Sequence, residues 1–280
     1  MRWLVVGASG MLGRDLTELL ARRGHLVVGV DRDELDITDP VAVGLHVRDV
    51  DVVANCAAWT AVDAAEEREP DAFAVNALGA AYLAAAATKV GARLVQVSTD
   101  YVFGGDATTP YAEDDAPAPR SAYGRTKLAG EWAVAGSDHL VVRTAWLYGR
   151  HGSCFPRTIA RVAAERGALD VVADQVGQPT WTGDLADLVE RLVVAAAPAG
   201  VYHGTSSGSG TWWEFAREVV ATAGLDPQIV RPTTSEASTR AAVRPSYSVL
   251  GHDALVRAGV DPIGDWRERW STAGSLVLAG

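Results

Sequence analysis

The sequence predicts an α/β fold: a doubly wound parallel sheet with a smaller α+β lobe that is built from C-terminal segments. Short apolar runs alternate with longer stretches of helical period through the first half of the chain, and this alternation requires right-handed crossovers between parallel strands. A glycine-rich loop lies between the first apolar run and the first helical stretch, which is typical of a Rossmann-type sheet. With 280 residues, the chain is long enough for such a sheet and a second lobe.

The runs that predict strands are apolar and rich in β-branched residues. They are Trp3–Val6, Leu26–Val30, Val52–Ala54, Leu94–Val97 and Leu140–Val142. Between them, helical periodicity predicts helices at Leu12–Ala21, Asp71–Thr88 and Tyr123–Val134. We therefore expect residues 1–150 to form a Rossmann domain that binds a dinucleotide.

The order of elements changes after residue 149. The predicted elements there are a helix at Phe155–Arg166, a strand at Leu169–Val172, a helix that Thr182 caps and whose first turn carries Asp184, and a helix at Trp212–Ala223. A run rich in proline and serine and short terminal helices complete the chain. We expect 170–203 to return to the Rossmann domain, while 151–169 and 204–280 form a substrate-binding lobe.

Charge and composition exclude several classes of protein. A formal net charge of −10 and a pI near 5.0 disfavour a nucleic-acid-binding protein, which needs a basic stripe. The start of the chain, MRWLVVGASG, is neither a signal peptide nor a membrane-spanning helix, so we expect a cytoplasmic protein without a membrane partner. No H-x-x-x-H pattern or carboxylate cluster indicates a catalytic metal, and Cys56 and Cys154 are expected to be free thiols.

The loop GASGMLG places Gly7, Gly10 and Gly13 between the first strand and the first helix. Glycines there permit a tight turn, a close approach of the backbone to a pyrophosphate and close packing of the helix on the sheet. The helix N-terminus adds free N–H groups and a positive dipole end. The spacing is G-x-x-G-x-x-G rather than G-x-G-x-x-G, but its position favours dinucleotide binding over a plain turn.

Asp31 and Arg32 follow the second strand and favour different cofactors. A carboxylate at this strand end accepts hydrogen bonds from the adenosine ribose of NAD, whereas a guanidinium can pair with the 2′-phosphate of NADP. We therefore expect NADPH, NADH or both to serve as cofactor.

Tyr123 and Lys127 predict a catalytic pair. They are four residues apart on a helix that Ser121 is expected to cap, so both side chains lie on one face. An ammonium group near a phenol should lower the phenol pKa from about 10 towards neutrality, which suits tyrosine to proton transfer. The alternative is a surface tyrosine beside a solvated lysine.

Several motifs resemble those of a known family. GASGMLG, STDYVFGG and YGRTKLAGE are similar to motifs of the extended short-chain dehydrogenases/reductases. With NCAAWTAVDAAE, RTAWLYG, DQVGQPT, GVYHGTSSGSGTWWEFA and VRPSYSVL, the resemblance narrows to the dTDP-4-dehydrorhamnose reductase branch. It covers nearly the whole chain in order.

The resemblance implies that Thr99, Tyr123 and Lys127 form the catalytic triad. Thr99 would hydrogen-bond the substrate carbonyl, Tyr123 would protonate its oxygen, and Lys127 would orient the cofactor. Two hydroxyl donors aimed at a carbonyl oxygen stabilise the charge that develops during reduction. Besides Tyr123 and Lys127, the implied cofactor contacts are Gly7, Ser9, Gly10, Met11, Leu12, Gly13, Asp31, Arg32, Asp36, Ile37, Cys56, Ala57, Ala58 and Thr60.

The resemblance also implies a site for a dTDP-linked sugar. The implied substrate contacts are Thr99, Asp100, Tyr101, Trp146 and Arg244. Arg240 is either a second phosphate contact or an ordinary surface charge, and Trp146 is either a sugar contact or a core residue. In related dehydratases, Asp and Glu follow the threonine as an acid/base pair, whereas Tyr101 stands in place of the glutamate here. Net reduction is therefore favoured over dehydration and epimerisation.

The chain departs from its relatives in two substrate-side segments. Cys154-Phe155 stands where Asn-Phe is usual, and Tyr247 replaces the asparagine of Arg-Pro-x-Asn-Ser. Conversion of dTDP-4-dehydrorhamnose to dTDP-rhamnose therefore has a competitor, the reduction of another dTDP-4-keto-6-deoxy sugar in a secondary-metabolite pathway. A third alternative is a regulatory protein, because the regulatory subunit of methionine adenosyltransferase resembles this branch.

Metal binding and subunit state are further expectations from the resemblance. Some relatives associate with Mg²⁺ at a subunit contact, and Asp15 or Asp187 are the candidate ligands here, although a solvated or capping role is expected for both. The chain is expected to be a monomer or a homodimer.

Overall fold

A computed structural model describes residues 1–237 and 240–280. Its strands are β1 Arg2–Val6, β2 Leu26–Val30, β3 Val52–Asn55, β4 Arg93–Thr99, β5 Leu140–Thr144, β6 Leu147–Tyr148, β7 Leu169–Val172, β8 Val176–Gly177, β9 Thr180–Trp181, β10 Gly200–His203, β11 Ser206–Ser207, β12 Gly210–Thr211, β13 Val230–Thr233 and β14 Ile263–Asp265. Its α-helices are α1 Met11–Arg22, α2 Pro40–His46, α3 Val62–Glu67, α4 Glu69–Phe73, α5 Gly79–Val90, α6 Ala122–Val134, α7 Phe155–Arg166, α8 Thr182–Val194, α9 Trp212–Thr222, α10 Asp253–Arg257 and α11 Trp266–Ala279.

Six parallel strands form the central sheet in the order β10-β5-β4-β3-β1-β2. From β1 the chain passes outwards to β2 and then returns to β3 on the other side of β1, so the winding direction reverses between β1 and β3. In a doubly wound sheet such a reversal opens a crevice at the carboxyl ends of the strands. The predicted α/β class is confirmed, and each predicted strand of the first half lies within an observed one.

Alternate residues of the strands form two separate cores. Trp3 and Val5 pack with apolar residues of α1 and α8 on one face of the sheet. Leu4 and Val6 pack with α5 and the α2 segment on the other face. Successive side chains of a strand point to opposite faces, so a parallel sheet covered on both sides is apolar along its whole length.

The predicted helix at Asp71–Thr88 forms in three pieces. α4 ends at Phe73, a π-helical turn spans Ala74–Leu78, and α5 begins at Gly79. A π-helical turn inserts one extra residue per turn and often marks a functional site. Here it changes the direction in which Asn76 points, with consequences for the cleft described below.

The whole stretch Glu69–Val90 is long and apolar enough to cross a membrane by length and composition alone, with a mean hydropathy of 1.3. One face of it, which includes Leu83, Ala84 and Ala87, is buried in the core beneath the sheet. A core helix passes the same test, and we interpret this stretch as one.

A third apolar core joins α7, α9 and α11 with β7 and β13. β7 pairs with β13, and β8 pairs with β12, so the segment 169–177 belongs with later parts of the chain. α8 packs on α1, and β10 completes the central sheet. The division into a dinucleotide domain and a substrate lobe stays a prediction. Strand pairing indicates that the chain returns to the first domain at α8 rather than at residue 170.

The expectation that Thr182 caps α8 is wrong. Trp181 is the N-cap residue, and no side chain caps the helix. The Thr182 hydroxyl instead donates to the Asp15 carboxylate and lies 3.2 Å from the main-chain oxygen of Tyr148. Asp184 does lie in the first turn, where its carboxylate accepts two hydrogen bonds of 2.7 Å from Arg269.

Candidate active site

A cleft of about 700 Å³ opens at the carboxyl ends of the parallel strands. Its wall includes Gly7 after β1, Asp31 after β2, Cys56 after β3, Thr99 at the end of β4 and Thr144 at the end of β5. The cleft therefore occupies the position at which the winding of the sheet reverses, where doubly wound proteins bind nucleotides.

The positions of Gly7 and Gly13 in the loop require glycine on steric grounds. Gly7 has a φ of 79°, and a Cβ there would lie 2.8 Å from the main-chain nitrogen of Ala57. A Cβ on Gly13 would overlap the Gly7 carbonyl, so this glycine lets α1 pack directly against the loop. Gly10 is the N-cap of α1 and offers no side chain, which leaves N–H groups of the first turn facing the cleft.

Asp31 is fixed by the loop that it faces. Its carboxylate accepts hydrogen bonds from the main-chain N–H of Ser9 at 2.9 Å and from the Ser9 hydroxyl at 2.8 Å. Carboxylate oxygens have four acceptor sites, so Asp31 keeps capacity for ribose hydroxyls. Arg32 is exposed and lines the cleft beside it. Both predicted determinants of cofactor choice are therefore present at the same end of the cleft.

The residues that were predicted to contact a cofactor lie together. Those that line the cleft are Gly7, Ser9, Gly10, Met11, Leu12, Asp31, Arg32, Asp36, Ile37, Cys56, Ala57, Ala58, Thr60, Tyr123 and Lys127. Gly13 lies beneath the loop instead, against Gly7. Cys56 and Cys154 are both free thiols, as predicted.

Tyr123 and Lys127 lie on the face of α6 that borders the cleft. Ser121 caps this helix as predicted, because its hydroxyl accepts a 3.1 Å hydrogen bond from the N–H of Gly124. The Lys127 side chain is buried, and its Nζ donates to the main-chain oxygen of Val97 at 2.6 Å. This contact ties the middle of α6 to the end of β4, the strand that carries Thr99.

The predicted acidification of Tyr123 is wrong for this structure. Burial raises the pKa of Tyr123 to about 12, the nearby Thr99 hydroxyl lowers it in part, and the charge of Asp100 raises it again. The ammonium of Lys127 is directed to Val97 rather than to the phenol. Burial also lowers the pKa of Lys127 to about 8, although the charge of Glu131 acts in the opposite direction. Near neutral pH, Tyr123 is therefore a neutral phenol and Lys127 is cationic.

Asp100 is a buried carboxyl group in the same wall, with 2% of its surface exposed. Burial raises its pKa to about 6, and the neighbouring hydroxyls of Ser248 and Thr99 oppose the rise. Its Oδ1 accepts from the Thr99 hydroxyl at 2.9 Å, whereas Oδ2 has no hydrogen-bond partner among residues 1–237 and 240–280. The Thr99 hydroxyl thus donates to Asp100, and Tyr123 lines the same wall.

Trp146 lines the cleft, stacks on Trp212 and is only partly buried, so its contact with the sugar stays a prediction. Its backbone has a φ of 46°, a left-handed conformation that is strained for a tryptophan. Its ring stacks on Trp212 with centroids 3.6 Å apart, and a Cβ on Gly177 would overlap it. The second aromatic substrate candidate, Tyr101, packs edge-to-face on Tyr123 at 5.6 Å. Contacts with Trp212 and with the Gly177 segment therefore hold Trp146 in place.

Arg244 and Arg240 lie at the rim of the cleft rather than in its wall. The Arg244 guanidinium donates to Asp63 at 2.8 Å, and Arg240 lies 3.9 Å from the same carboxylate. Charges of both arginines act on Tyr101, which lines the cleft. Arg240 is the more exposed of the two.

Asn76 is a cleft-supporting residue that the sequence did not single out. It lies in the π-helical turn, where its side chain accepts from the N–H of Trp59 at 2.9 Å and donates to the Thr126 hydroxyl at 3.0 Å. It thereby braces the loop that carries Thr60 against α6. An asparagine inside an alanine-rich helical stretch was the available signal, because a buried amide there requires partners.

Glu131 is a second supporting residue that the sequence did not single out. It lies one turn beyond Lys127, and its buried carboxylate accepts from Ser98 at 2.5 Å and from Arg143 at 2.7 Å. This ion pair joins α6, β4 and β5 behind the catalytic candidates. From the sequence alone, a glutamate at this spacing is expected to be a solvated helix residue. Its role as a buried ion pair follows only from the partners that other strands supply.

The carboxylates considered for Mg²⁺ do not fit a metal site. Asp187 accepts from Arg23 at 2.6 Å and from Arg191 at 2.7 Å, and Glu190 is bound by Arg23 and by His25. Asp15 is engaged by Thr182. In the described part of the chain, no group of three or more His, Cys, Asp or Glu residues is arranged to hold a metal ion.

A glycine-loop nucleotide cleft with Thr, Tyr and Lys in its wall defines a nicotinamide-dependent oxidoreductase of the extended short-chain dehydrogenase/reductase type. The sequence model of a family described as RmlD substrate binding domain matches residues 1–275. The chain belongs to the dTDP-4-dehydrorhamnose reductase family, which confirms the predicted family and the prediction of an enzyme.

Named relatives and a solved structure agree with this assignment. The dTDP-4-dehydrorhamnose reductase of Streptomyces griseus is 52% identical over 275 residues, covering 95% of this chain and 90% of that protein. The dTDP-4-keto-6-deoxy-D-glucose reductase of Streptomyces niveus is 49% identical over 284 residues, covering 99% and 98%. The crystal structure of dTDP-4-dehydrorhamnose reductase from Bacillus anthracis in complex with NADP has a TM-score of 0.93 at 38% identity, covering 97% and 98% of the two chains.

Proposed function

We propose that this protein reduces the 4-keto group of a dTDP-linked 4-keto-6-deoxyhexose, with NADPH or NADH as the hydride donor. The observation that carries the proposal is that two hydroxyl-bearing residues, Thr99 and Tyr123, share the wall of a cleft that begins at a glycine loop. Two hydroxyls that converge on one point can bind a single carbonyl oxygen. When it is bound, the nicotinamide cofactor supplies hydride to the carbonyl carbon, and negative charge develops on that oxygen.

Tyr123 is suited to give the proton. Its pKa of about 12 keeps the phenol protonated at neutral pH, and a proton donor must hold its proton until charge appears on the substrate. The Thr99 hydroxyl, which donates to Asp100 in this structure, would turn its proton to the same oxygen. Lys127, with a pKa of about 8, is cationic near neutrality and contributes positive charge to the wall of the cleft. The chain's own groups thus stabilise an oxyanion and then neutralise it.

The nucleotide-sugar class is supported by the relatives named above and by the two rim arginines. A guanidinium binds a diphosphate through paired donors, and a protein of net charge −10 must hold an anionic ligand locally. We propose dTDP-4-dehydrorhamnose as the substrate, with dTDP-rhamnose as the product. A different dTDP-4-keto-6-deoxy sugar is the second candidate, which the 49% identical Streptomyces niveus protein favours.

The two departures from the family pattern act at a distance from the cleft. Cys154 is buried at the start of α7, and the next residue, Phe155, packs 4.5 Å from Trp212. Tyr247 packs with the cluster around Phe103 and Tyr111. These residues influence the sugar through the groups that support Trp146 and the rim. They leave the hydroxyl pair unchanged.

The experiment that tests the proposal is a panel of dTDP-linked 4-keto sugars with NADPH and with NADH. Turnover is followed at 340 nm, and the configuration of each product is read by NMR. We expect oxidation of either cofactor, because Asp31 and Arg32 lie together at the end of the cleft that would hold the ribose. We also propose that the reaction takes place in the cytoplasm. Absence of turnover across the panel would favour the regulatory alternative, in which the fold binds a dinucleotide without reducing a sugar.

A further inference from the structure

Asp63 joins two parts of the chain that are far apart in sequence. It lies in the first turn of α3, and its Oδ1 accepts a 3.1 Å hydrogen bond from the main-chain N–H of Ala242. Its Oδ2 accepts from the Arg244 guanidinium at 2.8 Å. Arg244 also lies 3.3 Å from the main-chain oxygen of Ala242. One carboxylate therefore fixes both the backbone and the arginine of the C-terminal segment.

Charge favours this arrangement. Partial burial acts to raise the pKa of Asp63, but the N–H of Ala242 and the charges of Arg244 and Arg240 outweigh it, so the pKa lies below its usual value. The carboxylate is ionised at neutral pH. Arg244 is largely covered, with 16% of its side chain exposed, whereas 43% of the Asp63 side chain is exposed. The pair is thus partly sheltered from water, which strengthens a charged hydrogen bond.

The pair lies at the substrate end of the cleft. Val62, the neighbour of Asp63, lines the cleft wall. The neighbours of Arg244, Val243 and Pro245, lie beside Tyr101 and beside Ser121 at the start of α6. Arg32, by contrast, lies at the end of the cleft formed by the loop after β2. Arg244 is therefore close to the catalytic candidates and separate from the ribose end.

We propose that Asp63 is a positioning residue that holds Arg244 at the rim for the diphosphate of the nucleotide substrate. This inference rests on the proposed function. A guanidinium has five N–H donors, and Asp63 and Ala242 together engage two of its nitrogens, so donors remain for a phosphate. The planar fork binds phosphate well only when its orientation is set beforehand. Asp63 sets it, and the remaining charge of the two arginines attracts the anion.

The proposal predicts a specific kinetic change in Asp63→Asn. Asparagine keeps an acceptor for the Ala242 N–H but loses the charge that orients Arg244. We expect KM for the nucleotide sugar and Kd for dTDP to rise by about tenfold or more, because a charge-assisted hydrogen bond is lost. We expect kcat to change less than about threefold and Kd for NADPH to stay the same, since Asp63 touches neither reacting group.

Two comparisons isolate the effect. The matched control is Asp170→Asn, which removes a half-exposed carboxylate paired with Arg231 at 2.9 Å between β7 and β13, away from the cleft. The second comparison is a double-mutant cycle with Arg244→Met. If Asp63 acts through Arg244, the double variant has the same KM as Arg244→Met alone. Steady-state kinetics and calorimetric titration with dTDP and NADPH are measured on all variants, with melting temperatures as a check on folding.

Each outcome decides the matter. A raised KM and dTDP Kd in Asp63→Asn, with Asp170→Asn like the wild type and a non-additive cycle, supports the proposal. An unchanged KM in Asp63→Asn overturns the proposal. A lower KM also overturns it, because the Asp63 carboxylate then screens the charges of Arg244 and Arg240 from the substrate instead of orienting Arg244. Parallel losses in kcat, NADPH binding and melting temperature also overturn it in favour of a general structural role. If the wild type reduces no keto sugar, the proposed function fails, and dTDP titration alone decides the role of Asp63.

Discussion

The two ends of the cleft are built in different ways. At the catalytic end, Thr99, Asp100 and Lys127 have 5%, 2% and 3% of their surfaces exposed and come from one strand end and one helix. At the substrate rim, Trp146 and Arg244 are held by Trp212 and Asp63, whose positions in the chain are distant. A buried group from a local motif is hard to move, whereas a rim of long-range contacts can change one side at a time. We therefore expect chemistry and substrate choice to be separable in this fold.

The largest effect should come from Tyr123→Phe at the catalytic end. The ring and its packing remain, but the proton donor is lost, so we expect kcat to fall by about 10³-fold, with Kd for NADPH nearly unchanged. Stopped-flow and steady-state absorbance at 340 nm measure the first, and fluorescence titration measures the second. Tyr82→Phe removes a hydroxyl from a partly buried tyrosine of α5 outside the cleft and is the control. Wild-type turnover in Tyr123→Phe would falsify the proton-donor role.

The second effect is that of Lys127→Met, for which we expect a fall in kcat of about 10²-fold and weaker NADPH binding. Since the folded-state pKa of Lys127 is about 8, its charge is present below that pH and is lost above it. In the wild type, kcat/KM should therefore fall as pH rises through about 8, and this limb should vanish in the variant. Lys89→Met, at the exposed end of α5, is the control because it removes the other lysine of the chain. A limb that survives in Lys127→Met assigns the titration to another group.

At the substrate rim, Trp212→Leu should separate binding from chemistry. The stack on Trp212 supports the Trp146 ring, and the Trp146 backbone is in a strained left-handed conformation. Loss of the stack should let Trp146 change its conformation, so we expect KM for the sugar nucleotide to rise about tenfold while kcat changes less than about threefold. Trp132→Leu removes a tryptophan that is 68% exposed on α6 and should leave both constants unchanged. If kcat falls as far as KM rises, the rim and the catalytic end are coupled and the separation of the two ends fails.

The smallest expected effect is on the pH dependence of the free energy of unfolding. The folded-state pKa of Asp100 is about 6, above the 3.8 of an exposed aspartate, so folding favours the protonated form and stability falls as pH rises from about 3.8 to about 6. Between pH 5 and pH 8, the wild type should lose about 1 kcal/mol more of its free energy of unfolding than Asp100→Asn. Urea titrations at the two pH values measure the difference. Asp170→Asn, at the exposed β7–β13 pair, should follow the wild type; equal pH dependence in Asp100→Asn contradicts the buried-carboxyl interpretation.

The contrast between the two ends of the cleft also bears on which sugar a member of the family reduces. Relatives that are named for different substrates match this chain at nearly equal identity, 52% and 49%. Overall identity therefore does not distinguish which sugar this chain reduces. Variation at the rim, in the aromatic stack and in the arginine segment, is where selectivity should be sought.

The sequence by itself determined the elements that depend on local pattern. Strand and helix alternation, the glycine loop, the Ser121 cap and the i, i+4 relation of Tyr123 and Lys127 all follow from short-range spacing, and each is present in the structure. Short-range geometry is fixed by backbone sterics and hydrogen bonding, so a few residues suffice to specify it.

Tertiary structure alone decided the ionisation of the catalytic groups and the supports of the rim. The sequence suggested that Lys127 would acidify Tyr123, but burial raises the phenol pKa and the ammonium binds the Val97 carbonyl. It gave Thr182 a capping role that the hydroxyl does not perform, since Asp15 from another helix engages it. Asn76, Glu131 and Asp63 have partners from distant segments. Desolvation and long-range pairing depend on which surfaces the fold brings together, and spacing along the chain does not contain that information.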